Sequence, residues 1–239
     1  MEPSTRKVVT RSPSHTVRLL HLPHVQEQSI EAESSLERDF VQIAGLYPLI
    51  KSIQHQPFKL SLEESKYTPD FLLCFLDGSK LVVEVKPLEL LAPHEPKLQA
   101  ASLVLADAGL SFLVATDLMI RADGLASRAM RIRRYAKTIT NKEITDQLLS
   151  LLERNPAGIQ VSEVMQQLDL TQEVIFHALC HHRICTRDPL DLTPQAVLID
   201  LKTFRNEVDS DNSTYAIHFG RWLDPSRGDD NDRAGSTAV

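Results

Sequence analysis

The sequence predicts a mixed α/β unit followed by a smaller, mainly helical one. Three observations carry this reading. Two apolar runs, Phe71–Leu76 and Leu81–Val85, flank Asp77-Gly78, the pattern of a tight β-hairpin. Apolar residues at helical spacing precede and follow that hairpin, so helices alternate with strands. From Thr145 onward the pattern changes to short helices with their own caps.

The elements follow in chain order. Residues 1–27 contain Arg6, Lys7, Arg11 and Arg18 among Ser, Thr and Pro, and read as a flexible basic arm. Leu36, Phe40, Ile43 and Ala44 form the apolar stripe of a helix spanning residues 29–44, with Pro48 beyond its end. Residues 50–60 read as one strand containing Gln56-Pro57, and the hairpin comes next. A helix over residues 94–108 and a strand over 110–115 complete an α/β unit over residues 28–120.

The hairpin also carries the chemistry. Side chains alternate along a strand, so Glu84 and Lys86 share one face. Asp70, which opens the first strand, stands at the same end of the hairpin. Two carboxylates and a lysine at a sheet end suit metal-assisted phosphodiester hydrolysis. The acids hold Mg²⁺, and the ammonium orients water or neutralises phosphate. A structural ion pair between Glu84 and Lys86 is the competing reading, because a carboxylate amid Val82, Val83 and Val85 needs a cation. Glu33 and Glu37 lie four apart beside the apolar stripe of the preceding helix, within reach of the hairpin once the helix packs on it.

Four motifs occur in order between residues 33 and 86. They are Glu33-Ser34-Ser35-Leu36-Glu37-Arg38-Asp39-Phe40, Gln56-Pro57, Tyr67-Thr68-Pro69-Asp70-Phe71 and Val83-Glu84-Val85-Lys86. Together they resemble the TnsA endonucleases of heteromeric cut-and-paste transposons. The resemblance implies a restriction-endonuclease-like catalytic domain, with Glu37, Asp70 and Glu84 as metal-binding acids and Lys86 as the catalytic lysine. It further implies a main-chain ligand at Val85, a supporting role for Gln56, and Mg²⁺ as cofactor with Mn²⁺ as substitute. Some members carry Gln where this chain has Glu84. The implied activity is cleavage of the 5′ transposon ends in double-stranded DNA. A DDE transposase, TnsB, would cut the 3′ ends, and an AAA+ regulator, TnsC, would contact the complex.

Composition bounds the alternatives. A chain of 239 residues with three cysteines holds one large or two modest domains and no disulfide framework. No apolar run reaches membrane-spanning length and none follows the basic N-terminus, so the expected location is the bacterial cytoplasm. The net charge of −6 argues against generic nucleic-acid binding. The distribution of charge points the other way. Residues 121–142 form a basic connector, and from Arg121 to Lys137 the basic residues Arg121, Arg128, Arg131, Arg133, Arg134 and Lys137 face one acid, Asp123. Arg128, Arg131, Arg133, Arg134 and Lys137 are the candidate DNA-binding residues, with a solvated helix face as the rival reading.

In residues 143–203, Ile144, Leu148, Leu149 and Leu152 mark one helix, Val164–Leu168 a second and Val174–His181 a third. Two strands follow, at residues 184–186 and 195–199. Three helices and a hairpin describe a winged helix, bound to DNA or to a partner protein. His177, Cys180, His181, His182 and Cys185 lie on one helix and its exit, without the second ligand pair usual in a structural zinc site. Residues 204–239 read as a polar tail in which Tyr215, Phe219 and Trp222 form a docking segment or pack back on the protein. A stand-alone restriction or repair endonuclease and a winged-helix regulator are the alternative functions.

Overall fold

The computed structural model of the chain describes residues 2–3, 17–63 and 65–224. In order, the first half comprises β1 (Glu2–Pro3), β2 (Arg18–Leu20), β3 (Ile30–Ala32), α1 (Ser35–Ala44), β4 (Ile50–His55), β5 (Phe58–Ser61) and β6 (Lys66–Tyr67). Then come β7 (Phe71–Phe75), β8 (Lys80–Val85), α2 (Glu95–Asp107), β9 (Ser111–Ala115), α3 (Asp117–Ile120) and α4 (Leu125–Arg133). The second half contains α5 (Lys142–Glu153), β10 (Ile159–Gln160), α6 (Val161–Leu168), α7 (Gln172–Cys180), β11 (Ile184–Thr186), β12 (Val197–Asp200), α8 (Leu201–Ser210) and α9 (Tyr215–Leu223). Among the described residues no helix is long and apolar enough to cross a membrane.

The central sheet has the order β4-β7-β8-β9. The first two pairings are antiparallel, and β8 and β9 run parallel through the α2 crossover. Pleating sorts β8 between two cores. Leu81, Val83 and Val85 join the large core with α1, whereas Val82 joins a smaller one made by Phe58, Leu60, Tyr67, Leu72, Leu98 and Leu105. Glu84 therefore points to the side covered by α2 and the β5–β6 ribbon. The hairpin turn is formed as its sequence predicts: Gly78 takes φ +85°, and Asp77 accepts the Ser79 N–H at 2.9 Å.

The predicted helix over 29–44 starts later than expected. Ile30–Ala32 pairs with β2 instead, and Ser34 caps α1 by accepting the Glu37 N–H at 3.0 Å. Glu37 reaches back to accept the Glu33 N–H at 2.8 Å, closing a box around the helix start. The single strand expected over 50–60 is divided in two, because Gln56 adopts a left-handed φ of +40° and Pro57 follows it. The arm expected over 1–27 is also corrected for its described part. Leu20 and Leu22 are buried, and Leu22 lies where a side chain on Gly45 would stand. The rest of that arm falls outside the described residues, apart from β1, which pairs with β5.

Residues 121–142 are not a connector over most of their length. The helix α4 lies between α1 and α7, with Leu125, Ala126, Ala129 and Ile132 buried. Downstream, α5, α6 and α7 surround an antiparallel sheet of order β10-β12-β11. Gly158 admits no side chain, since a Cβ would lie 2.3 Å from Val197 and 2.9 Å from Ile199. The buried residues of this half are continuous with the large core of the first.

The expected polar tail is likewise corrected up to residue 224, with the remainder outside the described residues. Tyr215, Phe219 and Trp222 sit on one face of α9 and are buried. Phe219 lies with ring centroids 5.2 Å from Tyr47, 5.8 Å from Phe75 and 6.3 Å from Phe40. The hairpin turn anchors this helix, as Asp77 accepts the Tyr215 N–H at 2.9 Å and Ser79 Oγ the Ala216 N–H at 3.1 Å. Phe219→Ala is expected to destabilise the protein by about 3–5 kcal/mol in urea denaturation. Removal of residues 206–239 should abolish cooperative melting, and a deletion that melts like the intact chain would return α9 to the role of an appendage.

A second junction forms at the end of α1. His24 Nε2 and His182 Nε2 lie 3.2 and 3.0 Å from the Gly45 carbonyl oxygen. A carbonyl only accepts, so both nitrogens carry the proton in neutral rings. Burial drives the His24 pKa down to about 3, helped by His182, Arg133 and His181; burial takes His182 down to about 4. Below pH 6.5 the unfolded chain binds protons that these folded sites refuse. Stability is therefore complete above pH 6.5 and falls as the pH drops toward 4. The expected loss between pH 7.5 and pH 5 is on the order of 2 kcal/mol for each of the two histidines, measured by urea denaturation. His182→Asn, which suits the left-handed φ of +52° at that position, should reduce the slope.

Candidate functional site

The open end of the β7–β8 hairpin gathers the polar groups. Glu84 is 7% exposed, an uncommon environment for a carboxylate, and each of its oxygens has a separate partner. The Tyr67 hydroxyl donates to Oε2 at 2.7 Å, and the Lys86 ammonium lies 3.3 Å from Oε1. Asp70, half-buried just before β7, accepts the Val85 N–H through Oδ2 at 2.8 Å. Its own carbonyl accepts the Gln56 N–H at 2.7 Å, and the Gln56 side chain donates to Glu33 Oε1 at 3.1 Å. The kinked residue between β4 and β5 thus ties the start of α1 to the Asp70 end of the sheet.

The electrostatics are dominated by burial, with charge crowding second. Burial pushes the Asp70 pKa well above its ordinary value. Glu84 pushes in the same direction, the Val85 N–H opposes it, Glu37 adds a smaller upward push and Lys86 pulls down. Glu84, Glu37 and Lys86 are therefore close enough to act on Asp70. Among the described residues, no three His, Cys, Asp or Glu side chains converge into a ready-made metal cage. Glu37 in particular uses Oε2 on the Glu33 N–H. The donor set nevertheless fits Mg²⁺, which keeps several waters and binds through one or two carboxylates and substrate phosphate. Among the described residues, Lys86 is the cation that offsets part of the negative charge brought together by a desolvated Asp70 and Glu84.

The basic strip has a different geometry from the one expected. Arg128 donates to the carbonyls of Asp123, Leu190 (3.0 Å) and Pro189 (3.4 Å). Arg131 donates to Gln172 at 2.8 Å and stands over the Phe176 ring at 5.2 Å. Arg133 donates to the His21 carbonyl at 3.0 Å and is half-buried. These three join α4 to the second half of the chain and to its N-terminal segment. Arg134 and Lys137 are exposed. Arg121 instead pairs with the buried Asp39, at 3.1 Å, which also binds Arg38 at 2.5 Å.

Tyr67 is the site residue that the sequence reading passed over. It stood in the same motif as Asp70, three positions earlier, and the signal was a phenol at a strand end facing a strand with a buried acid. His177 and His181 have their own contacts: His181 Nε2 lies 2.9 Å from the Ala136 carbonyl, and the two rings are 4.3 Å apart.

The segment that carries this arrangement is similar in sequence to an endonuclease domain. Residues 47–117 match the family model described as TnsA-like endonuclease N terminal. That span holds Gln56, Tyr67, Asp70, Glu84 and Lys86, and over it the chain is similar to TnsA-like endonucleases. No curated protein matches the chain.

The raised pKa of Asp70 gives a signed expectation. Between its unfolded value of 3.8 and the raised folded value, the folded protein binds more protons than the unfolded one. Ionising Asp70 thus lowers stability as pH rises through that interval. Asp70→Asn should be more stable than the parent at pH 8, with the gap closing near pH 4, in chemical denaturation. A gap of equal size at both pH values would mean that the ionisation of Asp70 is not its cause.

Proposed function

We propose that the chain is the Mg²⁺-dependent strand-cleaving subunit of a heteromeric transposase, hydrolysing phosphodiester bonds at the 5′ ends of a transposon. The single observation that carries this reading is the junction of Asp70, Glu84 and Lys86 at one sheet end, inside the segment that matches the nuclease family. Asp70 and Glu84 would hold the ion with the Val85 carbonyl, and Glu37 would add a further carboxylate. When bound, Mg²⁺ (or Mn²⁺) supplies Lewis acidity toward the phosphate and lowers the pKa of a coordinated water. Lys86 directs its ammonium at the attacking water or at the phosphate oxygens, held in place by Glu84. Gln56 keeps the Asp70 backbone and Glu33 in register.

The partners follow from the same reading: the DDE transposase TnsB for the 3′ ends and the AAA+ regulator TnsC. Reliance on partners is supported by the charge balance. With a net charge of −6, and with Arg128, Arg131 and Arg133 bonded within the protein, less of the basic strip is free for tight solitary DNA binding. The order α5, β10, α6, α7, β11, β12 supports a winged-helix-like module. Its third helix packs against α4, which favours protein contact over major-groove reading for the covered face.

The test is nicking of transposon-end DNA in Mg²⁺ with and without a TnsB-type partner. Asp70→Ala, Glu84→Ala and Lys86→Ala should each lower nicking by roughly 10²-fold or more, without loss of the folded state. A folded variant that still nicks removes its residue from the site. Efficient sequence-selective cutting by the chain alone would replace the transposase reading with a restriction-type enzyme.

A further inference from the structure

Tyr67 occupies a place for which packing alone does not account. Its residue is 6% exposed, paired with Leu60 across the β5–β6 ribbon and enclosed in the small core with Phe58, Leu72, Val82 and Leu98. A phenol buried so deeply needs a polar partner, and the one it has is Glu84 Oε2 at 2.7 Å. Burial, then the neighbouring Glu84 and Asp70 charges, pushes the Tyr67 pKa up, so the hydroxyl stays a donor. The Lys97 ammonium of α2 stands 5.9 Å from the ring centre on the solvent side. With Lys86 at 3.3 Å from Oε1, both oxygens of Glu84 are held, and the carboxylate cannot turn about its last bond without breaking a contact.

We propose that Tyr67 is a positioning residue for the metal site, fixing the rotation of the Glu84 carboxylate through its 2.7 Å hydrogen bond. This rests on the reading of Asp70 and Glu84 as metal ligands and deepens it. Partners that orient a ligating group commonly alter metal affinity by about 10–100-fold when removed. A flexible, flooded carboxylate would meet an ion in many orientations. One tied to a phenol on the β5–β6 ribbon meets it in a single orientation, so the ribbon and α2, which cover this face of the sheet, become part of the site.

The test is a Mn²⁺ titration of the full chain, followed by calorimetry and by the electron paramagnetic resonance signal of the ion, with thermal midpoints recorded in parallel. Tyr67→Phe keeps the ring and removes only the hydroxyl. It should weaken Mn²⁺ binding by about 10–100-fold and broaden the resonance of the bound ion. In a Glu84→Gln background the same substitution should change affinity by less than about twofold, because the group through which it acts is gone. That double variant leaves no buried carboxylate without its donor, so its comparison with Glu84→Gln alone decides the matter even if Tyr67→Phe melts early. Unchanged affinity in Tyr67→Phe, with Asp70→Asn still losing the ion, overturns the positioning role and leaves the metal site standing. An equal loss in both backgrounds assigns Tyr67 to general packing and also overturns it. A parent chain that binds no Mn²⁺, or binds it equally well as Asp70→Asn, removes the metal site and the positioning role together.

Discussion

A carboxylate in the middle of a sheet is the constraint around which this protein is arranged. Glu84 lies on a central strand between β7 and β9, where an uncompensated charge would be far from water. Its two oxygens are met by Tyr67 from the ribbon on one side and Lys86 from its own strand. Asp70 is held against it by the Val85 N–H, a contact that opposes their mutual repulsion without removing it. The crowding keeps a negative potential at one sheet end, which favours a divalent cation, whereas an anion could approach that end only once a cation had offset the charge. A sequence selected only for stability would place apolar residues there.

The same end of the sheet is braced from three directions. The start of α1 is joined to it through Glu33 and Gln56, the β5–β6 ribbon through Tyr67, and α2 by packing over Val82 and Leu72. The opposite end of the hairpin serves architecture. The Asp77–Ser79 turn caps α9, and α9 places Phe219 and Trp222 around Tyr47. One hairpin thus carries the candidate site at its open end and anchors α9 at its closed end.

Charge on the remaining surface is used for assembly of the fold as much as for solvation. Arg128 and Arg131 join α4 to residues beyond 170, Arg133 joins it to the N-terminal segment, and Arg121 meets Asp39 on α1. The Gly45 carbonyl receives a histidine from each side of this junction. The nuclease-like half and the second half therefore share one apolar core instead of meeting through a linker.

The sequence by itself determined the local structure near the site. Period-two alternation around Asp77-Gly78 specified the hairpin and placed Glu84 and Lys86 on one face, because strand geometry leaves no other choice. The apolar spacing of Leu36, Phe40 and Ile43 specified α1, and the later start at Ser35 reflects a capping box that competes with longer helical continuation. Tertiary structure decided what local patterns do not encode. Arginines in α4 look the same in sequence whether they face water or a carbonyl of Leu190, and the difference arises from a contact 62 residues away in the chain. The aromatic face of α9 was visible, but its cover, Tyr47 and Phe75, lies more than a hundred residues earlier. Tyr67 became a site residue only when the ribbon folded over β8, since a hydrogen bond to Glu84 depends on sheet packing and not on spacing.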